Sequence, residues 1–229
     1  MATGLALAPQ STTRPLEDPL AHLPCSRIVE YQKAEIIYGE GQAPTGLYLV
    51  IEGKVKICRS TSDGHQVVMD IYQCEEFFGE SAFVGDLKGG EVAVALEKTK
   101  AMIWTVDAIE ELATRRPQLA MALIQLLVQR SVDFGSRIES LSLDTIVRRL
   151  AYALVRFSER LGQETEDGSV QMVPLTHEFL SQYVGTSREV ITFYMLQFRR
   201  QGYLSYSRQG IQLHRDAMKD WLRHGAASS

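Results

Sequence analysis

The hydrophobic period of the chain changes near residue 106, and this change limits the possible folds more than any other feature of the sequence. Before it, short apolar runs are separated by turn signals at a spacing of about 8–12 residues, a pattern typical of an all-β sandwich or roll. After it, apolar residues recur every three or four positions, as in amphipathic helices. We therefore expect an α+β fold in which a β domain precedes the helices.

Six apolar runs are the expected strands of this β domain: residues 35–38, 47–51, 55–58, 67–72, 92–96 and 101–106. Glycine-containing turn signals separate them. Asp63 and Gly64 lie between the third run and the fourth, and an Asp-Gly pair in this position favours a β-hairpin.

Charge is distributed unevenly along the 229 residues, although the net charge is only −4. Residues 1–145 hold 13 Lys and Arg against 20 Asp and Glu, whereas residues 146–229 hold 11 against 8. Such asymmetry suggests two domains with different partners.

The composition, with 45% apolar and 23% charged residues, is that of an ordinary globular protein. No stretch approaches the ~20 apolar residues of a membrane helix, and residues 1–10 lack the Lys or Arg of a signal peptide. Cys25, Cys58 and Cys74 are too few for a disulfide framework. We expect a cytoplasmic protein with no membrane partner, and a flexible N-terminal arm over residues 1–20.

A heptad-like seam follows, in a helix expected over residues 109–143. Its members are Ala120, Ile124, Leu127, Ser131, Phe134, Ile138 and Leu141. A second apolar row, Leu119, Leu123 and Leu126, lies beside it. We expect the second row to pack on the β domain and the seam to form a homodimer interface. The alternative is a helix buried within one subunit.

The C-terminal segment has the pattern of a winged helix-turn-helix. After a hinge and N-cap at residues 142–144 and a helix over 145–161, a short helix is expected over 176–183, a turn over 184–186 and a second helix to Gln201. Thr186 and Glu189 fit a capping box, in which the Thr186 hydroxyl accepts from the Glu189 N–H. The runs around residues 204–206 and 211–213 then predict a β-hairpin wing.

The second helix of such a motif enters the major groove of DNA with its N-terminal residues at the base edges. Arg188 can donate two hydrogen bonds to guanine, and Glu189 can accept from cytosine. The other candidate DNA contacts are polar or cationic: Thr176, Thr186, Ser187, Thr192, Arg199, Arg200 and Arg208. The alternative is that Arg188 and Glu189 form a solvated charged pair.

The chain resembles the Crp/Fnr family of bacterial transcription regulators over roughly residues 25–216. The matching stretches are Gly39-Glu-Gly41, Tyr48-Leu-Val-Ile-Glu-Gly53, Phe77-Phe-Gly-Glu80 and Gly185-Thr-Ser-Arg-Glu189. The resemblance implies a cyclic-nucleotide-binding-like β-roll sensor over residues 21–108, the dimerisation helix, and a DNA-binding domain over 144–229. It also implies a non-enzymatic regulator that binds a palindromic promoter site as a homodimer, with double-stranded DNA and RNA polymerase as partners. The second Arg of the family's recognition helix falls on Phe193, which could contact a thymine methyl.

The family's cyclic-nucleotide site is altered in this chain. The Gly-Glu pair that meets the ribose matches Gly79 and Glu80, with Ser81 next to them. The Arg-Ser pair that binds the phosphate falls on Glu91 and Val92, and the hydroxyl positions that touch the base fall on Asp133 and Phe134. These seven residues form the expected effector pocket.

A carboxylate at the phosphate position is repulsive, by about 4 kcal/mol at 4 Å and an effective dielectric constant of about 20. No arginine lies between Cys74 and Val106 to replace the missing cation. We therefore expect a sensor domain that does not respond to cyclic AMP and whose effector, if any, is another small molecule. The alternative is that Lys88 substitutes for the arginine in a rearranged pocket.

Other classes of protein remain as alternatives. Cys74 with His65 could ligate haem, and Cys25 could sense redox state. A cupin-like metal enzyme would need clustered His residues, but the five His contain no His-x-His. A cyclic-nucleotide module without DNA binding is opposed by the C-terminal motif. No metal or cofactor site is predicted with a defined ligand set.

Overall fold

The computed structural model describes residues 15–39, 41–60, 66–85, 90–207 and 210–224. An N-terminal β roll is followed by a long helix and a smaller mixed domain, which confirms the expected α+β fold class. Residues 1–14 of the predicted arm lie outside the described residues.

The strands of the roll form two antiparallel sheets, in the orders β1-β8-β3-β6 and β2-β7-β4-β5. Their bounds are β1 Arg27–Tyr31, β2 Ile36–Tyr38, β3 Gly46–Glu52, β4 Val55–Ser60, β5 Gln66–Tyr72, β6 Phe77–Phe78, β7 Glu91–Ala95 and β8 Thr99–Thr105. β4 and β5 pair as the hairpin pattern predicts, with Ser60 opposite Gln66. The predicted turn residues Asp63 and Gly64 lie outside the described residues. The sequence pattern missed β1 and β6.

Aromatic side chains fill the roll where β6 ends. The ring of Phe78 lies 4.9 Å from that of Tyr48 and 6.2 Å from that of Tyr38, between centroids. Gly79 follows with φ +87°, and a Cβ on it would lie 2.6 Å from Tyr48 Cδ2 and 2.8 Å from the Gly46 carbonyl oxygen. This turn therefore requires glycine. It leads into a short 3₁₀ helix, Glu80–Phe83.

The single helix expected over residues 109–143 is wrong, because the chain forms two helices there. α1 spans Val106–Arg115 and α2 spans Pro117–Leu143, with Arg116 between them in a non-helical conformation. Proline has no N–H to donate to the preceding turn, so Pro117 takes the first position of a new helix.

The second apolar row of α2 faces the β roll, as expected. Leu119 is fully buried, and Leu123 and Leu126 pack against the cluster that contains Trp104 and Phe77. No described helix is both long and apolar enough to cross a membrane.

The C-terminal domain surrounds the helix-turn-helix pair with further helices and a small sheet. Its elements are α3 Ile146–Leu161, β9 Gly162–Glu164, β10 Val170–Met172, α4 His177–Val184, α5 Arg188–Arg200, β11 Leu204–Ser207, β12 Gly210–Leu213 and α6 Arg215–His224. The strands form one sheet in the order β11-β12-β10-β9. The wing hairpin is thus confirmed, whereas the sequence pattern missed β9, β10 and α6. The N-cap of α3 is Thr145 rather than Asp144, whose carboxylate pairs with Arg148 at 3.0 Å.

The two domains share one hydrophobic core. Cys58 of β4 and Val68 and Ile71 of β5 pack together with the buried residues of the C-terminal domain. An ion cluster lies beside this contact, where Asp70 of β5 pairs with Arg156 and Arg160 of α3.

Candidate DNA-binding surface, helix face and sensor cavity

The helix-turn-helix is fixed by two side-chain caps and one left-handed glycine. The Thr176 hydroxyl accepts from the Phe179 N–H at the start of α4, and Gly185 ends that helix with φ +75°. α5 is capped by Ser187, whose hydroxyl accepts from the Val190 N–H. The predicted Thr186–Glu189 capping box is therefore wrong by one position, because the helix starts one residue later.

The outer face of α5 presents the predicted base-contacting residues to solvent. Arg188 and Glu189 are exposed at its first turn, and Phe193 is 63% exposed one turn further on. Ile191, Met195 and Phe198 point inward and are buried. Sequence analysis missed Gln197, which is exposed one turn after Phe193 and carries the amide that suits adenine. Its spacing of four from Phe193 was the available signal.

Thr192 is half-buried beside this outer face, and its predicted DNA contact stays a prediction. Its hydroxyl donates to the Arg188 carbonyl oxygen at 2.8 Å and lies 2.8 Å from His177 Nδ1. Since that hydroxyl has a single proton, His177 must donate from Nδ1. Burial and the nearby Arg188 lower the pKa of His177 below its usual value.

The remaining cationic candidates lie at the far end of α5. Arg199 and Arg200 are exposed in its last turn, and the Arg199 guanidinium lies 5.5 Å from the ring centroid of Tyr206 in the wing. Arg208 lies outside the described residues.

An apolar face runs along the solvent side of α2. Ile124, Leu127, Phe134, Ile138 and Leu141 of the predicted seam are exposed, and so is Ser131. Ala120 is half-buried. The heptad count missed Val128 and Val132, which are 57% and 58% exposed. We call these two together with Ile124, Leu127, Phe134, Ile138 and Leu141 the α2 face.

A cavity of about 550 Å³ separates the β roll from α1 and α2. Gly79, Glu80, Ser81, Glu91 and Phe134 all line it, so the structure brings together five of the seven predicted pocket residues. The rest of the wall is mainly apolar and includes Leu47, Ile57, Met69, Phe83, Ile109 and Leu123.

Glu91 is held at the wall of the cavity by two hydroxyl groups. Its Oε1 accepts from Tyr38 at 2.7 Å and from Ser81 at 3.1 Å. Burial, and then the adjacent Glu91 carboxylate, raise the pKa of Tyr38 far above its ordinary value, so the phenol stays protonated and donates. The negative charge predicted from the sequence is therefore present in the cavity wall.

Arg130 of α2 is the cation that sequence analysis missed. It forms an ion pair with Glu80, donates to the Phe77 carbonyl oxygen and lies 4.8 Å from the ring centroid of Tyr72. Its distance of 50 positions from Glu80 hid it from a search limited to the strands near Glu91. Glu80 is consequently neutralised by the protein itself.

Two predicted pocket residues lie elsewhere. Val92 is absent from the cavity wall because neighbouring strand residues point to opposite faces, and its side chain packs beside Gly39. Asp133 also does not line the cavity. It lies on another face of α2, 3.7 Å from Arg156 of α3.

The three cysteines lie in different environments. Cys58 is buried, whereas Cys25 and Cys74 are exposed, and all three are free. No group of three or more His, Cys, Asp or Glu side chains in this part could hold a metal ion. His65, the second residue of the haem alternative, lies outside the described residues.

A β roll joined by a long helix to an exposed recognition helix and a wing defines a DNA-binding regulator, and comparisons with known proteins agree. The cyclic nucleotide-binding domain family matches residues 28–116, and the Crp-like helix-turn-helix domain family matches residues 148–221. Together the two matches cover most of the chain, in the order that the fold requires.

Known relatives share this arrangement over most of their length. The chain is 26% identical over 177 residues to the CRP-like cAMP-activated global transcriptional regulator of Mycobacterium tuberculosis, covering 77% of this chain and 79% of that protein. The solved structure of a CRP/FNR-family transcriptional regulator from Thermus thermophilus superposes with a TM-score of 0.70 at 26% identity, over 86% of this chain and 98% of that one. FixK2 from Bradyrhizobium japonicum shares the fold. Its structure superposes with a TM-score of 0.72 at 22% identity, over 85% of this chain and 96% of that one.

The chain belongs to the Crp/Fnr family of transcriptional regulators, which are DNA-binding proteins and not enzymes.

Proposed function

We propose that this regulator binds a palindromic promoter site as a homodimer. The observation that carries the proposal is the α2 face, on which Ile124, Val128, Val132 and Ile138 are each more than half exposed. Exposed apolar surface costs about 25 cal/mol per Å², and a second copy of the same helix would bury it. Contiguous apolar patches of this kind mark interaction sites.

A two-fold axis along α2 would present the two recognition helices to successive major grooves. Helix-turn-helix dimers contact half-sites one DNA turn apart, about 34–36 Å, so a palindromic site follows from the symmetry of the protein.

Within each half-site, we propose that Arg188 binds guanine, that Glu189 accepts from cytosine N4 and that Phe193 contacts a thymine methyl. Their exposure on one end of α5 supports these roles. The hydroxyl groups of Thr176, Thr186 and Ser187 lie at helix N-termini, where phosphates bind. Arg199, Arg200 and Arg208 are the proposed phosphate contacts that position the protein without selecting sequence.

We further propose that the sensor domain does not respond to cyclic AMP. In the cavity wall, the Glu91 carboxylate faces the place where the family's phosphate would lie. Arg130 is already paired with Glu80 and does not line the cavity. A bound phosphate would therefore meet a repulsive charge without a compensating cation from α2. The cyclic-AMP-activated relative from Mycobacterium tuberculosis would differ from this chain in that respect.

We propose RNA polymerase as a further partner, because a regulator of this family bound at a promoter would meet it there. We also propose a cytoplasmic location, because the target is chromosomal DNA. A pull-down of RNA polymerase on promoter DNA, with and without the regulator, tests the first point. Retention of the same amount of polymerase in both cases would contradict it.

The dimer is tested with Val132→Lys combined with Ile138→Lys, two substitutions on the α2 face that avoid the cavity wall. Sedimentation equilibrium should give monomers, and affinity for a palindromic duplex should fall at least tenfold. Gln118→Lys combined with Gln129→Lys is the matched control, because it adds the same two charges to exposed positions of α2 off the apolar face. A double variant that remains dimeric would contradict the proposed interface.

A further inference from the structure

The sensor cavity has a mainly apolar wall and one carboxylate, that of Glu91, on which only one oxygen accepts hydrogen bonds from the described residues. Both hydrogen bonds to Glu91 reach the same oxygen, Oε1, and among the described residues no donor reaches Oε2. The Glu91 side chain is half-buried and lines the cavity. A ligand in the cavity can therefore donate a hydrogen bond to Glu91 Oε2.

Among the residues that the structure describes, the other charged groups of the wall leave the cavity negative. Glu80 is paired with Arg130, and Glu110 of α1 is exposed at the rim. Arg59 of β4 is the register partner of Glu91 on β7 and also lines the cavity, but no ion pair between these two side chains is present in the described part of the chain. The described wall thus holds one arginine against three carboxylates.

The remaining wall suits an apolar molecule of moderate size. A volume of about 550 Å³ falls in the range of small-molecule sites, which are mostly apolar with a few polar groups that fix orientation. Phe83, Ile109 and Leu123 surround the space next to the Glu91 carboxylate.

We propose that this cavity binds an organic amine, with its protonated nitrogen donating to Glu91 Oε2 and its aromatic or aliphatic body among the apolar side chains. The inference rests on the proposed function, in which this same cavity does not take cyclic AMP. Ile124, Leu127 and Phe134 belong both to the cavity wall and to the α2 face. A bound amine would therefore fix side chains that meet the partner helix, and so alter dimerisation and DNA binding.

The test compares three probes by isothermal titration of the full-length protein: tryptamine, indole-3-propionate and cyclic AMP. The first two share one apolar body and a chain of the same length but carry opposite charges. Tryptamine should bind at least tenfold more tightly than indole-3-propionate. Equal binding of the two, tighter binding of the acid, or no tryptamine binding at millimolar concentration would overturn the proposal.

Glu91→Gln identifies the contact. Its amide oxygen can still accept from Tyr38 and Ser81, so the fold should persist, while tryptamine affinity should fall at least tenfold. Glu111→Gln is the matched control, since it removes the same charge from an exposed position of α1 outside the cavity wall and should leave the affinity within twofold. Equal losses in the two variants would overturn the assignment to Glu91.

The titration with cyclic AMP distinguishes a failure of the amine site from a failure of the proposed function. Tight binding of cyclic AMP would contradict the proposed function, whereas absence of both cyclic AMP and tryptamine binding would contradict only the amine site.

Discussion

Replacing Asp70 by asparagine should loosen the contact between the sensor domain and the DNA-binding domain. Asp70 Oδ1 lies 2.6 Å from Arg160 Nη1, and Oδ2 lies 3.1 Å from Arg156 Nη2. Arg160 also pairs with Glu76 at 2.8 Å. The carboxylate of β5 is thus the common partner of two cations on α3.

The magnitude follows from the burial of the three side chains. The Asp70 side chain is 13% exposed, and those of Arg156 and Arg160 are 31% and 20% exposed. Exposed pairs contribute about 0.2–1 kcal/mol, whereas removing one partner of a fully buried pair costs about 3–5 kcal/mol. This partly buried cluster lies between these limits, and Glu76 still compensates Arg160. We therefore expect Asp70→Asn to lower the free energy of unfolding by about 2 kcal/mol.

Urea unfolding at fixed protein concentration measures this change, because dimer stability depends on concentration. Hydrogen exchange should also accelerate in β5 and α4, which meet at the domain contact. Glu52→Gln is the control, since its pair with Lys100 is 63% and 42% exposed on the two sides, and exposed ion pairs contribute little to stability. An Asp70→Asn protein as stable as this control would refute the assigned role of the cluster.

Three further perturbations test the turn, the histidine and the recognition helix. Gly79→Ala should destabilise the folded protein by about 2–4 kcal/mol in thermal unfolding, because the strain of a left-handed alanine is added to a clash with Tyr48. Gly202→Ala is the control: Gly202 has φ +79° and no atom within 4 Å of an added Cβ, so this substitution should cost only about 1–2 kcal/mol. The pKa of His177 is lowered in the folded protein, so its contribution to stability is present above the unfolded pKa of 6.5 and is lost as pH falls through the folded value. The difference in unfolding free energy between the wild-type protein and His177→Gln, measured across pH 5–8, should follow this trend. A difference that does not change with pH would contradict it. In fluorescence anisotropy, Arg188→Ala should lower the binding free energy for the specific site by about 1–3 kcal/mol and relax the preference at one base pair. Arg200→Ala should instead weaken binding to all duplexes alike and reduce the slope of log affinity against log salt by about 1. A uniform loss of affinity for Arg188→Ala would identify a phosphate contact instead.

Features set by local chemistry could be predicted from the sequence. The strands around Leu47 and Val55, the helix-turn-helix and the wing all follow from short-range periodicity and turn residues. The errors at helix starts have local causes as well. Pro117 signalled a helix start inside the expected helix, and the cap of α5 moved by one position to Ser187 because both Thr186 and Ser187 are good N-caps.

Features that depend on tertiary contacts could not be predicted. Arg130 meets Glu80 only because α2 lies across the open side of the roll, and no sequence spacing encodes that distance. Asp133 lies on the same helix as Phe134, which lines the cavity, but on another face of it, so its side chain lies near Arg156 instead. The joint core of the two domains, with Ile71 of β5 packed against the C-terminal domain, likewise has no signal in the apolar period of β5.

We expect this Crp/Fnr regulator to bind its palindromic site as a homodimer without cyclic AMP. The direct measurement is fluorescence anisotropy with a duplex selected from a random library, titrated with protein in the absence and presence of millimolar cyclic AMP. One dimer should bind each specific duplex, with the same Kd in both titrations. A Kd at least tenfold lower with cyclic AMP, equivalent to about 1.4 kcal/mol, would contradict it, and so would specific binding that appears only with the nucleotide.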